Sequence, residues 1–164
     1  MSTKSVASLH WGGLDKAMQG AVGRLANTKV LMSSIGEALV ASTQKRFEDS
    51  EDPEGKAWLP SERAGTKSGK TLVNTAELKK SIDYSATSNS VMVGTNVPYA
   101  RIHQYGGIIK PKKGKYLKFA GKDGKEVFVK EVTIPARPYL GLSKQDAEEV
   151  YATMGDFVAG AFRK

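Results

Sequence analysis

Apolar residues recur every three or four positions between Leu14 and Phe47, as at Leu31 and Ile35. This spacing predicts an amphipathic helical region with one apolar face and one solvated face. It ends at an acidic stretch, 48–57, that also contains a Pro and a Gly. Both residues disfavour a helix interior, so the chain turns there.

Two residue pairs predict where helices begin. Asn27 followed by Thr28 is suited to capping a second helix, so the first region is either one long helix or two helices with a break near Asn27. Helical spacing returns near the end of the chain and stops at Phe162. There, Ser143 with Asp146 three positions later predicts a capping arrangement at the start of a C-terminal helix.

Alternating apolar and polar residues predict a first β-hairpin in the middle of the chain. Ile82, Tyr84 and Ala86 alternate with polar residues, the sequence TSNS follows, and an apolar run at 91–93 forms the second strand. The segment TAELKKSI immediately before the hairpin predicts one or two helical turns.

A second hairpin is predicted around the sequence GKDG, whose Asp-Gly step is a signal for a tight turn. Its strands are 116–120 and 125–134. On the returning strand, Phe128, Val132 and Ile134 share one face. Lys130 on that face indicates that its burial is partial.

The order of these elements is helix, strands, strands, helix, without βαβ alternation or an internal repeat. This order predicts an α+β fold, with a mostly antiparallel sheet of two hairpins packed on a long N-terminal helix and a C-terminal helix. The length of 164 residues fits a single domain spanning residues 1–164. Polar and basic segments near 60–71 and 107–118 are predicted to be exposed loops.

Composition narrows the class of protein. Hydrophobic residues make up 40% of the chain and charged residues 26%, as in globular proteins. The absence of Cys excludes disulfides and thiolate metal sites. The amino terminus lacks the apolar run of a signal peptide, and no run is long enough for a membrane helix, so we expect a soluble, unexported chain. The net charge of +8 would attract nucleic acid or an acidic partner.

Three motifs suggest catalysis or ligand binding, and none has the context that it needs. The segment AGTKSGKT at 64–71 ends like a phosphate-binding loop, but Ala64 stands where that loop has Gly and no strand or helix flanks it. His10 and His103 lack partners at a telling spacing. His103 is therefore predicted to be a structural imidazole that hydrogen-bonds backbone within the segment from Tyr99 to Gly107. The acidic residues of 48–54 lack the ligand pattern of a calcium loop. The sequence therefore predicts no catalytic residues, no metal and no cofactor.

A lysine-rich run lies before the second hairpin, and its Pro and Gly keep it extended like an arm. Nearby Tyr116 and Phe119 could stack on a base, although on a strand they are expected to pack on the sheet. The run is either a contact for phosphate or a partner, or a solvated surface. Its lysines are Lys110, Lys112, Lys113, Lys115 and Lys118.

Two segments rich in Gly, Pro and aromatic residues, 93–107 and 134–143, are predicted to form rigid corners, too irregular for a helix or strand interior. Such loops often carry function, and these residue types favour a surface that meets another protein. Arg137, between Ala136 and Pro138, either anchors a subunit contact or satisfies local carbonyls. The predicted subunit-interface residues are Tyr99, Arg101, His103, Tyr105, Arg137 and Tyr139.

Taken in order, the motifs between Phe47 and Ser143 resemble the phage virion morphogenesis family, which includes tail-completion proteins and the protein G of Mu-like phages. One departure is Ala76, where relatives tend to carry Gly after Thr. The motifs that carry the resemblance are Asp52-Pro53-Glu54-Gly55 with Lys56 and Trp58, Leu72, Thr75 with Leu78, Ser81-Ile82, Val93-Gly94-Thr95-Asn96, Tyr99-Ala100, Ile102-His103-Gln104, Gly106-Gly107, Ile134-Pro135-Ala136-Arg137-Pro138 and Leu140-Gly141.

The resemblance implies a non-enzymatic structural protein at the phage head–tail joint, acting in tail completion, as a tail terminator or as a neck ring component. It implies a homo-oligomer, commonly a sixfold ring, that contacts other tail and neck proteins and ends up in the virion after assembly in the host cytoplasm. DNA in the lumen is a further possible contact for the lysine run. The alternatives are a basic nucleic-acid-binding module acting through Lys110 to Lys118, and an enzyme that uses Lys70 or His103.

Overall fold

The computed structural model describes residues 12–66, 69–121 and 124–163. This part of the chain has an α+β fold, as predicted, with short antiparallel sheets set among helices. The helices are α1 (Gly12–Leu25), α2 (Thr28–Asp49), α3 (Glu62–Thr66), α4 (Glu77–Lys80), α5 (Ala100–Tyr105) and α6 (Lys144–Phe162). The strands are β1 (Asp83–Ala86), β2 (Val91–Gly94), β3 (Gly107–Ile109), β4 (Leu117–Ala120), β5 (Glu126–Val129) and β6 (Val132–Ile134).

Both predicted hairpins form, and a third, separate antiparallel strand pair is also present. β1 pairs with β2 and β4 pairs with β5, each in antiparallel register. The prediction of one returning strand over 125–134 is wrong, because the chain bends at Lys130 and Glu131 and starts a new strand, β6. β6 pairs with β3, with Ile109 opposite Val132. Of the predicted turn, Asp123 lies outside the described residues.

The N-terminal region consists of two helices, which decides between the two possibilities left by the sequence. α1 and α2 are separated near Asn27, but the Asn27 side chain makes no capping hydrogen bond. The predicted cap of α6 is confirmed. The Ser143 hydroxyl accepts from the Asp146 amide at 3.0 Å, and the Asp146 carboxylate accepts from the Ser143 amide at 2.7 Å.

Three segments predicted to be irregular contain regular structure. The first corner includes α5, because the Gly and Pro residues that disfavour a helix all lie outside ARIHQY. Gly106 follows this helix at φ 70°, a left-handed conformation that favours glycine. The predicted loop near 60–71 contains α3, and the one near 107–118 begins with β3.

The core lies where the second half of α2 meets α4, α5 and the second corner. Phe47 is fully buried between Trp58 and Tyr139, with ring centroids 5.6 and 5.1 Å away. Edge-on and tilted aromatic contacts of this kind add to the hydrophobic stabilisation. The buried residues of this cluster are Phe47, Trp58, Leu78, Ile82, Ala100 and Tyr139.

The structure explains why glycine is required at one position near this core and favoured at another. Gly36 of α2 faces Tyr84 of β1, and a Cβ at Gly36 would lie 2.3 Å from the tyrosine ring, so only glycine lets this hairpin lie against the helix. Ala76, which precedes α4, adopts φ 59°, in the left-handed region. This conformation is the physical reason why glycine suits that position.

Arg46 connects α2 to the C-terminal third of the chain. Its guanidinium donates to the carbonyls of Tyr139 and Gly141, each at 2.9 Å, and forms a buried ion pair with Asp146 at the start of α6. Ser42 also donates to the Asp146 carboxylate. Both charges of the pair are therefore desolvated and supported by additional hydrogen bonds, which is the condition for a stable buried pair.

The pKa of Asp146 reflects this environment. Burial alone would raise the pKa, but hydrogen bonds from Ser42 and Ser143 and the charge of Arg46 outweigh it, and the pKa lies below its ordinary value of 3.8. A carboxyl whose pKa is lower in the folded state stabilises the fold above its unfolded pKa. That contribution is lost as the pH falls through the lower, folded value.

We predict that Asp146→Asn lowers the free energy of unfolding by about 3 kcal/mol at pH 7, because it leaves the Arg46 charge buried without a counterion. The difference from the native chain should shrink as the pH falls below 3.8 and through the lower pKa of the folded state, where the native carboxyl also becomes protonated. Denaturant unfolding at both pH values measures it. Asp49→Asn is the control, because it removes only the exposed pair with Lys45. An equal effect of the two variants would contradict the assignment.

Candidate functional site

The two predicted corners lie against each other. The Arg137 amide donates to the His103 carbonyl at 2.7 Å, which ties the second corner to α5. Gly106 lies so close to the second corner that a Cβ would be 2.7 Å from the Ala136 nitrogen. The two segments, distant in sequence, therefore form one joined corner, and glycine is required at the point of closest approach.

Gln104 holds the joined corner together. Its Oε1 accepts from the backbone amides of Tyr139 and Leu140, both at 3.0 Å, and its Nε2 donates to the Leu140 carbonyl at 2.9 Å. One side chain thus satisfies three backbone groups of a segment that forms no sheet. Gln104 was not predicted to be a site residue, because no local sequence signal shows that a glutamine binds a distant backbone segment.

Two further hydrogen bonds hold the segment from Pro138 to Gly141 in place. The Trp58 indole donates to the Pro138 carbonyl at 2.8 Å, and the Tyr139 hydroxyl donates to the Ala100 carbonyl at 3.2 Å. Together with the bonds from Arg46, these contacts fix the backbone from Pro138 to Gly141 in one conformation. The predicted rigidity of the second corner therefore has an identified cause.

The predicted interface residues divide into two sets. Tyr139 is 1% exposed and Arg137 is 6% exposed, so both side chains lie inside the chain. Arg137 Nε donates to the Leu59 carbonyl at 2.8 Å, as in the alternative that it satisfies local carbonyls. Tyr99, Arg101 and Tyr105 instead present exposed side chains along α5. Of the predicted interface residues, these three lie on the outer surface of the joined corner.

A cleft of about 450 Å³ opens beside the corner, between α5 and the segment around α4. Tyr99 spans its edge, where its hydroxyl donates to Glu77 at 2.8 Å and its ring meets the His103 ring edge-on at 5.9 Å. This hydrogen bond raises the pKa of Tyr99. The cleft residues are Ser61, Arg63, Leu72, Asn74, Thr75, Glu77, Leu78, Tyr99, His103 and Arg137.

His103 is placed to remain neutral. Burial and the neighbouring Arg137 charge lower its pKa below 6.5, and its Nδ1 is buried without a hydrogen-bond partner in the described structure. No carboxylate or hydroxyl is paired with the ring to form a proton relay within the described ranges. His10 lies outside the described residues. The His103 imidazole lies within the corner, but its Nδ1 lacks the backbone hydrogen bond that is expected of a structural histidine there.

The phosphate-loop-like segment is used for local contacts. Lys70 donates to the Glu48 carbonyl at 2.8 Å, and buried Thr71 accepts from the Ser61 amide at 3.1 Å. No group of three or more metal-ligating side chains occurs in the residues that could be searched for one. In those same residues, no helix is long and apolar enough to cross a bilayer.

The lysine run belongs to a longer two-stranded arm, residues 107–134, in which β3 pairs with β6 and β4 pairs with β5. Lys110 forms an ion pair with Glu131, and Lys118 forms one with Glu126 and lies 5.8 Å from the Phe128 ring. The remaining three lysines are exposed: Lys112, Lys113 and Lys115. Tyr116 and Phe119 are also exposed, and are not buried on a sheet as expected.

These features define a small α+β protein whose distinctive surfaces are suited to contact with other macromolecules. The chain belongs to the phage virion morphogenesis family, whose profile matches residues 9–159. It is 33% identical over 132 residues to the Mu-like prophage FluMu G protein 2 of Haemophilus influenzae, covering 80% of this chain and 79% of the relative. It is 27% identical over 152 residues to the putative capsid assembly protein G of Escherichia phage Mu, covering 87% of each. No solved structure matches the chain.

We predict that Gln104→Met lowers the free energy of unfolding by about 2 to 4 kcal/mol, because two backbone amides lose their acceptor inside the fold. The length of the side chain is retained, so cavity formation contributes little. Arg101→Met on the exposed face of the same helix is the control, and should change stability by less than about 0.5 kcal/mol. Chemical denaturation measures both. A Gln104 variant as stable as the control would show that the hydrogen bonds of Gln104 contribute little to stability.

Proposed function

We propose that this protein is a non-enzymatic structural component of the phage head–tail joint, acting in tail completion, as a tail terminator or as a neck ring component. Membership of the virion morphogenesis family supports a role in particle assembly. The joined corner is the observation that supports the proposed role at the head–tail joint. A surface fixed by Arg46, Trp58 and Gln104 keeps the same shape before and after docking, and this lowers the entropic cost of association.

The proposed assembly is a homo-oligomeric ring, commonly sixfold in proteins of this kind, with other tail and neck proteins above and below it. A ring requires head-to-tail contacts between two different patches on each subunit. The α5 surface with Tyr99, Arg101 and Tyr105 supplies one such patch, with His103, Arg137 and Tyr139 supporting it from inside. The location that follows is the neck or tail end of the virion, reached after assembly in the host cytoplasm.

The test is a prophage or phage lacking the gene and supplied with Tyr105→Glu. We expect this protein to fold but to be depleted from purified particles, with unjoined heads and tails accumulating in electron micrographs. Met92→Glu is a matched control, because Met92 is 72% exposed and Tyr105 73%, and both changes place a charge on the surface. Normal particles that contain the Tyr105 variant at full occupancy would count against the proposed interface.

A second candidate function rests on the three exposed lysines of the arm. Lys112, Lys113 and Lys115 form no ion pair among the described residues, so they are available to phosphates. Contact of this kind reads backbone charge without sequence preference. The protein would then act as a basic nucleic-acid-binding module, within the ring lumen or independently of it.

For this candidate we predict that the purified chain binds duplex DNA with an affinity that falls steeply with salt. Replacing Lys112, Lys113 and Lys115 by Gln should reduce the slope of log K against log salt by about 2 to 3, since each phosphate contact contributes about 0.9. Replacing Lys16, Lys29 and Lys80 by Gln is the control, because it removes the same number of charges from outside the arm. A native affinity that is insensitive to salt would exclude this function.

A further inference from the structure

Arg137 is a buried charge without a counterion among the described residues. Its side chain is 6% exposed, yet it forms no ion pair with any of them. Its Nε donates to the Leu59 carbonyl, and burial lowers its pKa with no opposing contribution from a described carboxylate. Arg46, which is similarly buried, has Asp146 as its partner. A buried cation without such a partner destabilises the fold, so its position calls for a reason other than stability.

The cleft beside α5 is lined by Arg137 and by a second arginine. This second residue, Arg63, donates from its guanidinium to the Lys70 carbonyl at 2.5 Å. The described lining contains one acidic residue, Glu77, whose carboxylate already accepts from the Tyr99 hydroxyl. Two guanidinium groups therefore share the cleft with one carboxylate that is already hydrogen-bonded. Its described lining carries an excess of positive charge.

His103 adds an unsatisfied polar atom to the same cleft. Its Nδ1 is buried and has no hydrogen-bond partner in the described structure. The charge of Arg137 contributes to the lowering of the His103 pKa, so the guanidinium acts on the ring. An anion beside Arg137 would offset that charge and favour the protonated imidazole. The pKa of His103 therefore reports whether the cleft holds an anion.

One wall of the cleft has a strained backbone. Two of the three non-glycine residues with positive φ in the described ranges, Leu72 and Ala76, belong to the segment 71–77. Leu72 itself lines the cleft and has φ 60°. A leucine rarely adopts this left-handed conformation, and strain of this kind is concentrated at ligand-binding and catalytic sites. The wall is thus held in a conformation that local preferences oppose.

We propose that this cleft is a binding site for a carboxylate of another protein chain, with Arg137 as its principal contact. A planar guanidinium binds a carboxylate through two parallel N–H donors, which suits a side chain whose Nε is already engaged by Leu59. Arg63 supplies a second positive charge. This inference rests on the proposed function for the nature of the partner, a protein of the particle, and gives the chemistry of the contact.

The form of the cleft favours a protein carboxylate over a phosphate of DNA. Arg137 is too buried to meet the backbone of a duplex, which binds side chains that project from a protein surface. Leu72 and Leu78 provide apolar walls for the methylene groups of an acidic side chain and its apolar neighbours. A volume of about 450 Å³ admits a segment of peptide but not a duplex. Glu77 also disfavours the second negative charge of a free phosphate.

The first test measures the pKa of His103 by NMR in the full-length chain with His10→Gln, so that one imidazole titrates. The probes are acetyl-Leu-Glu-Leu-amide, which has a side-chain carboxylate, and acetyl-Leu-Gln-Leu with a free carboxyl terminus. We expect at least one of them to raise the His103 pKa in a saturable manner at constant ionic strength. Acetyl-Leu-Gln-Leu-amide is the matched control and should leave the pKa unchanged. The peptide that binds more tightly identifies the source of the carboxylate.

The second test compares three variants in the same NMR titration. Arg137→Met should weaken peptide binding by about tenfold or more, because the charge-assisted pair is lost. Glu77→Gln should tighten it by about threefold or more, because it removes a negative charge and still accepts from Tyr99. Arg101→Met, on the exposed side of α5, is the control and should bind like the native chain. Circular dichroism establishes that each variant folds, and Glu77→Gln decides if the Arg137 variant does not.

The outcomes separate this inference from the proposed function. If neither carboxylate peptide changes the His103 pKa, or if folded Arg137→Met binds as tightly as the native chain, the inference is overturned. Inorganic phosphate that raises the pKa where both peptides fail overturns it in favour of a phosphate ligand. A Glu77→Gln variant with native affinity places the peptide elsewhere and also contradicts it. These measurements use the purified chain, so they can fail or succeed independently of the particle test with Tyr105→Glu.

Discussion

The rest of the structure depends on the buried interactions of the Arg46 guanidinium. It lies in α2, accepts Asp146 of α6 as its counterion and donates to the carbonyls of Tyr139 and Gly141. A buried charge is costly unless all of its donors are satisfied, so the three elements must meet in one geometry. This requirement places the second corner over the core and sets the start of the C-terminal helix. Phe47, one residue later, packs on Tyr139 of the same corner.

Around this centre the molecule has two regions of different character. The joined corner is held by Trp58 and Gln104 and has its cleft-side residues in fixed positions. The arm leaves it at Gly107 and has little support beyond its own strand pairing. Stability is commonly uneven within a protein, and weakly supported segments are the ones that order on binding. A fixed surface with an adaptable extension suits a protein that takes part in building a particle.

Much of the fold could be predicted from the sequence, because local signals agree with the final structure. The capping pair at Ser143 and the two hairpins follow from short-range chemistry. The pairing of β3 with β6 could not be predicted, since it joins strands separated by the lysine run. The inward position of Tyr139 was missed for a similar reason, and for Arg137 the sequence left a subunit contact and local carbonyls as open alternatives. Aromatic and basic residues in a corner suggest an exposed contact, and only the long-range bonds to Ala100 and Leu59 show that these two point inward.

A core centred on one buried ion pair supports the surfaces that we propose to join copies of the chain within a virion. The most direct measurement is a cryo-electron microscopy reconstruction of the intact particle at its head–tail joint. The account predicts a ring of this chain there, with α5 and the arm in contact with neighbouring density. A reconstruction in which the chain is absent from the joint, or in which these surfaces face open solvent, would contradict it.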